Sequence, residues 1–476
     1  MARSALDITE THPPATAPSD RAVTGALAFA VFGYALAQTL VVPALAPIQA
    51  DLRASPAIGA WVLSAFLLAG AVLSPIVGAL GDGRGPRNVL VVTLGVFAVG
   101  SVAAVIAPTI EVLIAARIVQ GVSLAILPLS FAVVRRVVSG ARQTSAAAVL
   151  AGIGGAGAGV GLVIGGLLTD LLSWHALFGL GAILAALAGG IVLAVVPTDP
   201  TAGRTGGHFD LLGAVMLTIG LTTILVGLTQ GTSWGWTSVW VWLIVAAGLA
   251  VLVLLGLVER RRSRPLLDVA ELADPGLVAT HLTALLIGAV SYPFYLLLPL
   301  WAQAGDGSAP NQVGFGGSIT LAGLILLPGA LTLLLGSALT TKLAARTGPR
   351  TPLVAGFGLI AVATLALAGW HQHIWQHVVC YAVVGLGTGF VFASQPRLIS
   401  VHVPVRRTGA ANGFNNIARS VGSILTTQIT AAIVAATTSA TVPVTDATLS
   451  IGLALTAGLC LLGLVAATFT TKGAQQ

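Results

Sequence analysis

Stretches without a single Asp, Glu, Lys or Arg recur along this chain: 22–50, 54–81, 88–110, 143–169, 211–258, 307–341 and 420–445. Each is long enough for a helix of ~20 residues, the length that crosses a bilayer core, and 211–258 is long enough for two. Backbone groups in lipid must be satisfied within the chain, and these runs lack the dyad alternation of a barrel strand. Only 8% of the residues are charged and mean hydropathy is +0.98, whereas soluble domains carry ~25% charged residues. The fold class is all-α and integral to a membrane.

Turn residues and interfacial aromatics divide the chain into fourteen spans: 22–47, 57–80, 88–107, 110–133, 144–169, 175–197, 210–230, 237–258, 277–302, 317–340, 351–370, 375–397, 409–436 and 448–470. With the N-terminus inside, 19 of the 22 Lys and Arg residues fall in inner segments and only Arg53 in an outer loop. Such a bias sets orientation and puts both termini in the cytoplasm. The remaining two, Arg117 and Arg419, lie within spans, where a charge costs at least ~2.5–3.5 kcal/mol and needs a reason. Basic loops facing anionic lipid account for the net charge of +7 without any nucleic acid. Residues 1–21 read as a disordered cytoplasmic tail. Ala44-Leu45-Ala46 imitates a signal cleavage site, but Pro47 follows and the apolar run is too long, so this is span 1.

Two segments repeat: Leu80-Gly-Asp-Gly-Arg-Gly85-Pro86-Arg87-Asn-Val-Leu-Val91 after span 2, and Leu343-Ala-Ala-Arg-Thr-Gly348-Pro349-Arg350-Thr-Pro-Leu-Val354 after span 10. Both join a helix pair at the same place in a six-helix half, as in secondary transporters built from parallel repeats. The expected organisation is a six-helix bundle over 22–197, an inserted two-helix segment with cytoplasmic loops over 198–275, and a second six-helix bundle over 276–471.

These residues resemble the major facilitator superfamily, and within it the fourteen-span drug:proton antiporters. Gly78 to Leu90 looks like the family's loop 2–3 signature, Arg117-Ile-Val-Gln120-Gly121 its span 4 basic motif, and Gly157, Gly161, Gly165 and Gly166 its span 5 antiporter motif. Phe209-Asp210-Leu-Leu-Gly213 and Pro265-Leu-Leu-Asp268 are similar to the family's entry to and exit from the inserted pair. Three positions depart from the pattern: Ala37 stands where span 1 usually carries an acid, Leu162 replaces the span 5 proline, and Ala345 replaces the acid of the second loop copy. The resemblance implies alternating access, multidrug efflux from a bacterial cytoplasmic membrane, a small-molecule substrate, protons as coupling ion, membrane lipids as surroundings, no cofactor, no metal, and a monomer.

The candidate residues follow. Asp82, Arg84, Gly85, Arg87, Gly348 and Arg350 form a conformational latch at the inner helix junctions. Arg117, with Gln120 beside it, either relays protons or holds span 4 against span 1. Asn412, Asn415, Asn416 and Arg419 recur at helical spacing on one face of span 13, to line a cavity or to bind neighbouring helices. Gln38 and Thr39 are the matching polar pair in span 1, and Tyr292 and Tyr295 offer aromatic surface to a substrate. His281 reads as a headgroup-level residue, Trp301 as part of an interfacial belt, and His371, His373 and His377 as an outer cluster without a neighbouring acid. Cys380 and Cys460 read as small buried residues on different helices.

All 15 acids map to tails, loops or span ends, so no mid-membrane carboxylate is available for protons and substrate to share. Glu111 and Asp82 are the remaining coupling candidates, and neutral or anionic substrates become worth testing. Other classes fit less well. A dedicated exporter of one natural product is open. A proton-coupled peptide permease would carry an acidic cluster in span 1, and an enzyme would need catalytic groups gathered at the interface.

Overall fold

The computed structural model describes residues 19–54, 56–59, 61–198, 210–262, 274–305, 313–404, 408–437 and 445–470. Fourteen long helices occupy them in chain order: α1 (Asp20–Thr39), α2 (Trp61–Arg84), α3 (Pro86–Val105), α4 (Ile110–Val137), α5 (Ala141–Leu171), α6 (Trp174–Val195), α7 (Leu211–Trp234), α8 (Val239–Glu259), α9 (Pro275–Gln303), α10 (Ile319–Thr347), α11 (Arg350–Gly369), α12 (Ile374–His402), α13 (Thr408–Thr437) and α14 (Asp446–Phe469). Thirteen are long and apolar enough to cross a membrane, and the other, α7, has a shorter apolar stretch over Leu212–Leu228. No strand occurs among the described residues. Phe209, Arg204 and the 265–268 motif lie outside them, as do 1–18 of the expected tail.

Local chemistry sets the helix ends. Side chains of Thr109, Asp210, Asp274 and Ser318 accept from backbone N–H groups of the first turns of α4, α7, α9 and α10, satisfying donors that have no intrahelical partner. Gly85 (φ 92°) and Gly348 (φ 85°) each precede a Pro at the start of the next helix, Pro86 as its first residue and Pro349 as its N-cap. Both copies of the repeat therefore make the same left-handed turn, which favours glycine. Span 1 is shorter than expected. Its helix stops at Thr39, turns through 40–44 around Pro43, and resumes as a short helix, Leu45–Asp51; proline disfavours helix at the preceding residue and lacks an N–H. Conversely α4, α10 and α12 run several residues beyond their expected inner ends, and α4 tightens into a 3₁₀ segment at Gly121–Ala125.

Apolar packing separates the chain into two cores. Helices α1–α6 share one set of buried residues, including Leu27, Phe97, Ile126 and Val192, with a second set around Leu36, Leu113 and Trp174. Helices α9–α14 share another, including Phe294, Phe357, Val391 and Leu453. Between them α2 packs on α13 and α5 on α10. Helices α7 and α8 pack together and cover the α2–α13 seam, where Leu217 and Leu221 meet Val72 and Ile417. Large apolar side chains such as Val99, Ile183, Trp240 and Leu461 point outward, as required of a lipid-facing perimeter.

Candidate substrate cavity and gate

One cavity lies on the axis between the two cores, enclosing about 110 Å³. Tyr34, Gln38 and Thr39 of α1 line one side, Ser291, Tyr292 and Tyr295 of α9 another, and Asn416, Arg419 and Ser423 of α13 a third. Gln38 Nε2 donates to the Tyr292 hydroxyl at 3.2 Å, joining the halves. Tyr292 and Tyr295 meet edge to face with ring centroids 5.7 Å apart. Asn416 Nδ2 donates to the Leu124 carbonyl at 3.2 Å and to Ser74 Oγ at 3.4 Å, again across the seam. Arg419 Nη2 donates to Asn416 Oδ1 at 2.6 Å, and its guanidinium lies 5.0 Å from the centre of the Phe392 ring.

Three of the four α13 polar residues share one face. Asn416 and Arg419 reach the cavity, Asn412 sits one turn lower and donates to the Thr408 carbonyl at 2.8 Å, and Asn415 turns away. Its Nδ2 donates to Gln395 Oε1 at 3.1 Å, and its Oδ1 lies 3.3 Å from His281 Nδ1. At 100° per residue, neighbours 415 and 416 cannot point the same way. His281, near the start of α9, is thus buried between helices.

A wider vestibule of about 430 Å³ follows at the end of the bundle where Arg135, Arg346 and Arg350 gather, called here the basic end. Leu127, Ala151, Phe392 and Asn416 line the cavity, and Phe131, Ala147, Pro396 and Asn412, each four residues away on the same helix, line the vestibule. At the far end Val42 and Leu162, from the first half, pack into the core of the second.

Two arginines join the halves at the vestibule. Arg135 of α4 donates to the Val403 carbonyl at 3.2 Å, to the Ser400 carbonyl at 3.3 Å and to Thr408 Oγ1. Arg397 of α12 donates to Thr341 Oγ1 at 2.7 Å and to the Thr144 carbonyl of α5 at 3.4 Å. Arg397, assigned from sequence to an inner segment, therefore lies inside the extended α12 and faces the axis. The loop motif sits just beside them. Arg136 Nη2 donates to the Asp82 carbonyl at 2.8 Å and lies 3.9 Å from its carboxylate. Arg87 donates to the carbonyls of Val196 (2.6 Å) and Leu193 (2.8 Å), bracing α3 against the end of α6 within its own half. Arg84 is exposed and Arg350 opens α11.

Arg117 is 1% exposed and lines neither space. Its Nε donates to the Val62 carbonyl of α2 at 2.9 Å, and its Nη1 to Gln120 Oε1 at 2.8 Å. Gln120 Nε2 in turn donates to Ser101 Oγ of α3 at 2.8 Å, and the guanidinium stacks 4.1 Å over Phe66. The partners belong to α2 and α3, not to span 1 as expected.

Helix α5 has two glycine faces. A Cβ on Gly157 would meet the Phe32 carbonyl at 3.1 Å, and one on Gly161 or Gly165 would strike the carbonyls of Leu36 or Leu40. That motif face therefore clamps α1 inside the first half, where Thr39 Oγ1 donates to the Ala158 carbonyl at 2.5 Å; Gly166 is also buried. The other face, Gly152, Gly155 and Gly159, meets Ser337, Leu333 and Ala330 of α10 across the seam.

A model of the Major Facilitator Superfamily matches residues 27–427, most of the chain and both halves around this cavity. The chain belongs to that superfamily. It is accordingly a multi-pass membrane transporter of small molecules and not an enzyme. Among its relatives, the tetracenomycin C resistance and export protein of Streptomyces glaucescens is 28% identical over 85% of this chain and 74% of its own length. The cephamycin export protein of Amycolatopsis lactamdurans is 30% identical over 81% and 79%, and a multidrug resistance protein of Mycobacterium tuberculosis 27% identical over 88% and 76%. The crystal structure of the human organic anion transporter MFSD10 aligns with a TM-score of 0.68 over 96% of this chain and 100% of that one at 16% identity, a likeness of fold.

Other residues singled out from the sequence take the following places in this superfamily member. Glu111 is exposed in the first turn of α4, away from the cavity. Trp301 is buried near the end of α9, packed edge to face on His371 (5.2 Å) and beside His377 (6.4 Å). The histidine cluster does have an acid neighbour, because Asp446 at the start of α14 lies 3.0 Å from His371 Nε2. No group of three or more metal-ligating side chains occurs among the described residues. Cys380 and Cys460 are free and buried. Asp210 pairs with Arg262 at 2.6 Å where α7 begins and α8 ends, with Glu259 buried beside it. Sequence reading missed Tyr34 and Phe392 in the cavity. Tyr34 lies one turn before Gln38, so spacing could have found it. Phe392 carried no signal until α12 met α13.

Proposed function

We propose that this transporter is an exporter, carrying amphipathic or lipophilic small molecules of drug or antibiotic type out of a bacterial cytoplasm or inner leaflet by alternating access. In this reading fourteen spans cross the cytoplasmic membrane, both termini face the cytoplasm, and the basic end is inner. The bundles 22–197 and 276–471 rock about the cavity while 198–275 serves as the inserted pair. The single observation that carries it is the axial cavity closed by cross-half hydrogen bonds, Gln38 to Tyr292 and Asn416 to Ser74. Contacts of that kind can break at one end while those at the other end form. Names of relatives that export antibiotics agree in direction.

A drug-sized ligand needs a pocket of ~300–1,000 Å³, so the 110 Å³ cavity must widen when loaded. That small resting volume favours, as a second reading, a dedicated exporter of one natural product. Proton antiport is the coupling that the family resemblance implies. No acid lines the cavity among the described residues, so a proton would be handled away from the substrate. Efflux from proteoliposomes with and without an imposed pH gradient tests both points. Uphill efflux that follows the gradient supports proton antiport, and uphill efflux that ignores it refutes antiport. Absence of movement across a broad panel, with one compound moved, selects the dedicated exporter.

A further inference from the structure

We infer that the central cavity is an organic-anion site: Arg419 receives a carboxylate or sulfonate, and Tyr292, Tyr295 and Phe392 receive a flat apolar body. This rests on the export reading and names its substrate class. Arg419 is the one charged side chain among the described residues lining the cavity. A single hydrogen bond is recorded for its guanidinium, from Nη2 to Asn416, and no carboxylate is near it. The remaining N–H groups border open space, and a planar guanidinium fork fits a carboxylate through two parallel charge-assisted bonds. Arg117 makes the contrast. It is held by Val62, Gln120 and Phe66, and its one unpartnered nitrogen, Nη2, borders neither the cavity nor the vestibule.

The approach has the same sign. The vestibule leading to the cavity is lined by Arg135 and Arg397, with no acid among its described lining residues. A cleft of one sign in low-dielectric walls concentrates the opposite charge. Three guanidiniums thus mark the route from the basic end to the centre, whereas a cation would meet repulsion at every stage. The Tyr34 hydroxyl adds a donor beside the anion.

The charge arrangement also supplies a driving force. An anion on Arg419 makes the loaded site neutral, so the outward step moves no net charge. The empty site returns inward as a cation, in the direction that an interior-negative potential favours. One charge per cycle at 100 mV supports a roughly fiftyfold accumulation ratio without any cavity carboxylate.

The test uses the full chain in nanodiscs and radiolabelled naphthoate, with naphthamide and naphthylmethylammonium as neutral and cationic counterparts, in equilibrium dialysis. Naphthoate should bind at least tenfold tighter than either. Arg419→Gln should remove that preference while naphthamide binding and thermal stability persist, and Arg419→Lys should restore part of it. Equal binding of the three probes, no naphthoate binding, or an anion preference that survives Arg419→Gln overturns the inference. Proteoliposomes with a valinomycin-clamped potassium gradient then separate this from the export reading. Arg419-dependent binding without movement refutes export and leaves the site. Movement of neutral drugs without an anion preference refutes the site and leaves export.

Discussion

Arg117 and Gln120 form a buried relay: the guanidinium Nη1 donates to Gln120 Oε1 at 2.8 Å, and Gln120 Nε2 donates to Ser101 Oγ at 2.8 Å. With Nε on the Val62 carbonyl, one side chain ties α2, α3 and α4 together in a place that lipid and water do not reach. Truncating one partner leaves a buried charge short of an acceptor, which costs ~1–3 kcal/mol. Gln120→Leu should lower the thermal midpoint of the detergent-purified protein without changing which substrates it moves. Arg117→Lys should do the same, because an ammonium cannot reproduce the forked geometry. A variant with unchanged stability and lost transport would instead give Arg117 a coupling role.

The two glycine faces of α5 should separate folding from transport. Gly161→Ala drives a methyl into Thr39 and the Leu36 carbonyl, inside one half. Overpacking of this kind costs ~1–3 kcal/mol and should reduce the yield of folded protein. Gly159→Ala meets Ala330 across the seam, so it should leave each half intact and slow the turnover that needs the seam to slide. Initial efflux rates normalised to folded protein distinguish the two.

Asp82→Asn should abolish efflux while membrane levels stay normal. Asp82 lies beside Arg136 and the end of α4, next to the point where Arg135 crosses to α12 and α13. Losing the carboxylate removes the anchor that orients this basic pair. Near-normal efflux by Asp82→Asn would make the loop a topology signal only.

Arg397→Gln should loosen the basic end. The arginine bonds Thr341 in its own half and the Thr144 carbonyl in the other. Its loss should speed labelling of a cysteine introduced at Ala147, in the vestibule wall, by a membrane-impermeant thiol reagent applied from the inner side. The native Cys380 and Cys460 are buried and supply little background. Unchanged labelling would remove Arg397 from the gate.

The loop repeat was legible because a positive-φ glycine followed by proline is a local requirement: Gly85 and Gly348 need no tertiary partner to be recognised. Glycine spacing at 157, 161 and 165 was equally legible, since a four-residue period keeps one face of a helix. Which neighbour that face meets was not. Polar spacing on α13 misled for a related reason. Asn412, Asn415 and Asn416 look like one stripe when lipid is the only alternative surroundings, but Asn412 bonds within α13, Asn415 bonds α12, and Asn416 bonds α2 and α4.

Sequence by itself determined the membrane class, nearly all helix positions, the duplication and the superfamily, because hydropathy, turn chemistry and short motifs are properties of neighbouring residues. Tertiary structure decided what the buried charges do. Arg117 and Arg419 are indistinguishable as isolated cations in apolar spans. Packing alone closes the first off among α2, α3 and α4, with Nη2 unpartnered, and leaves the second open to a cavity. A charge is a strut or a binding site according to whether its remaining donors face packed protein or open space, and that depends on how helices distant in the sequence meet.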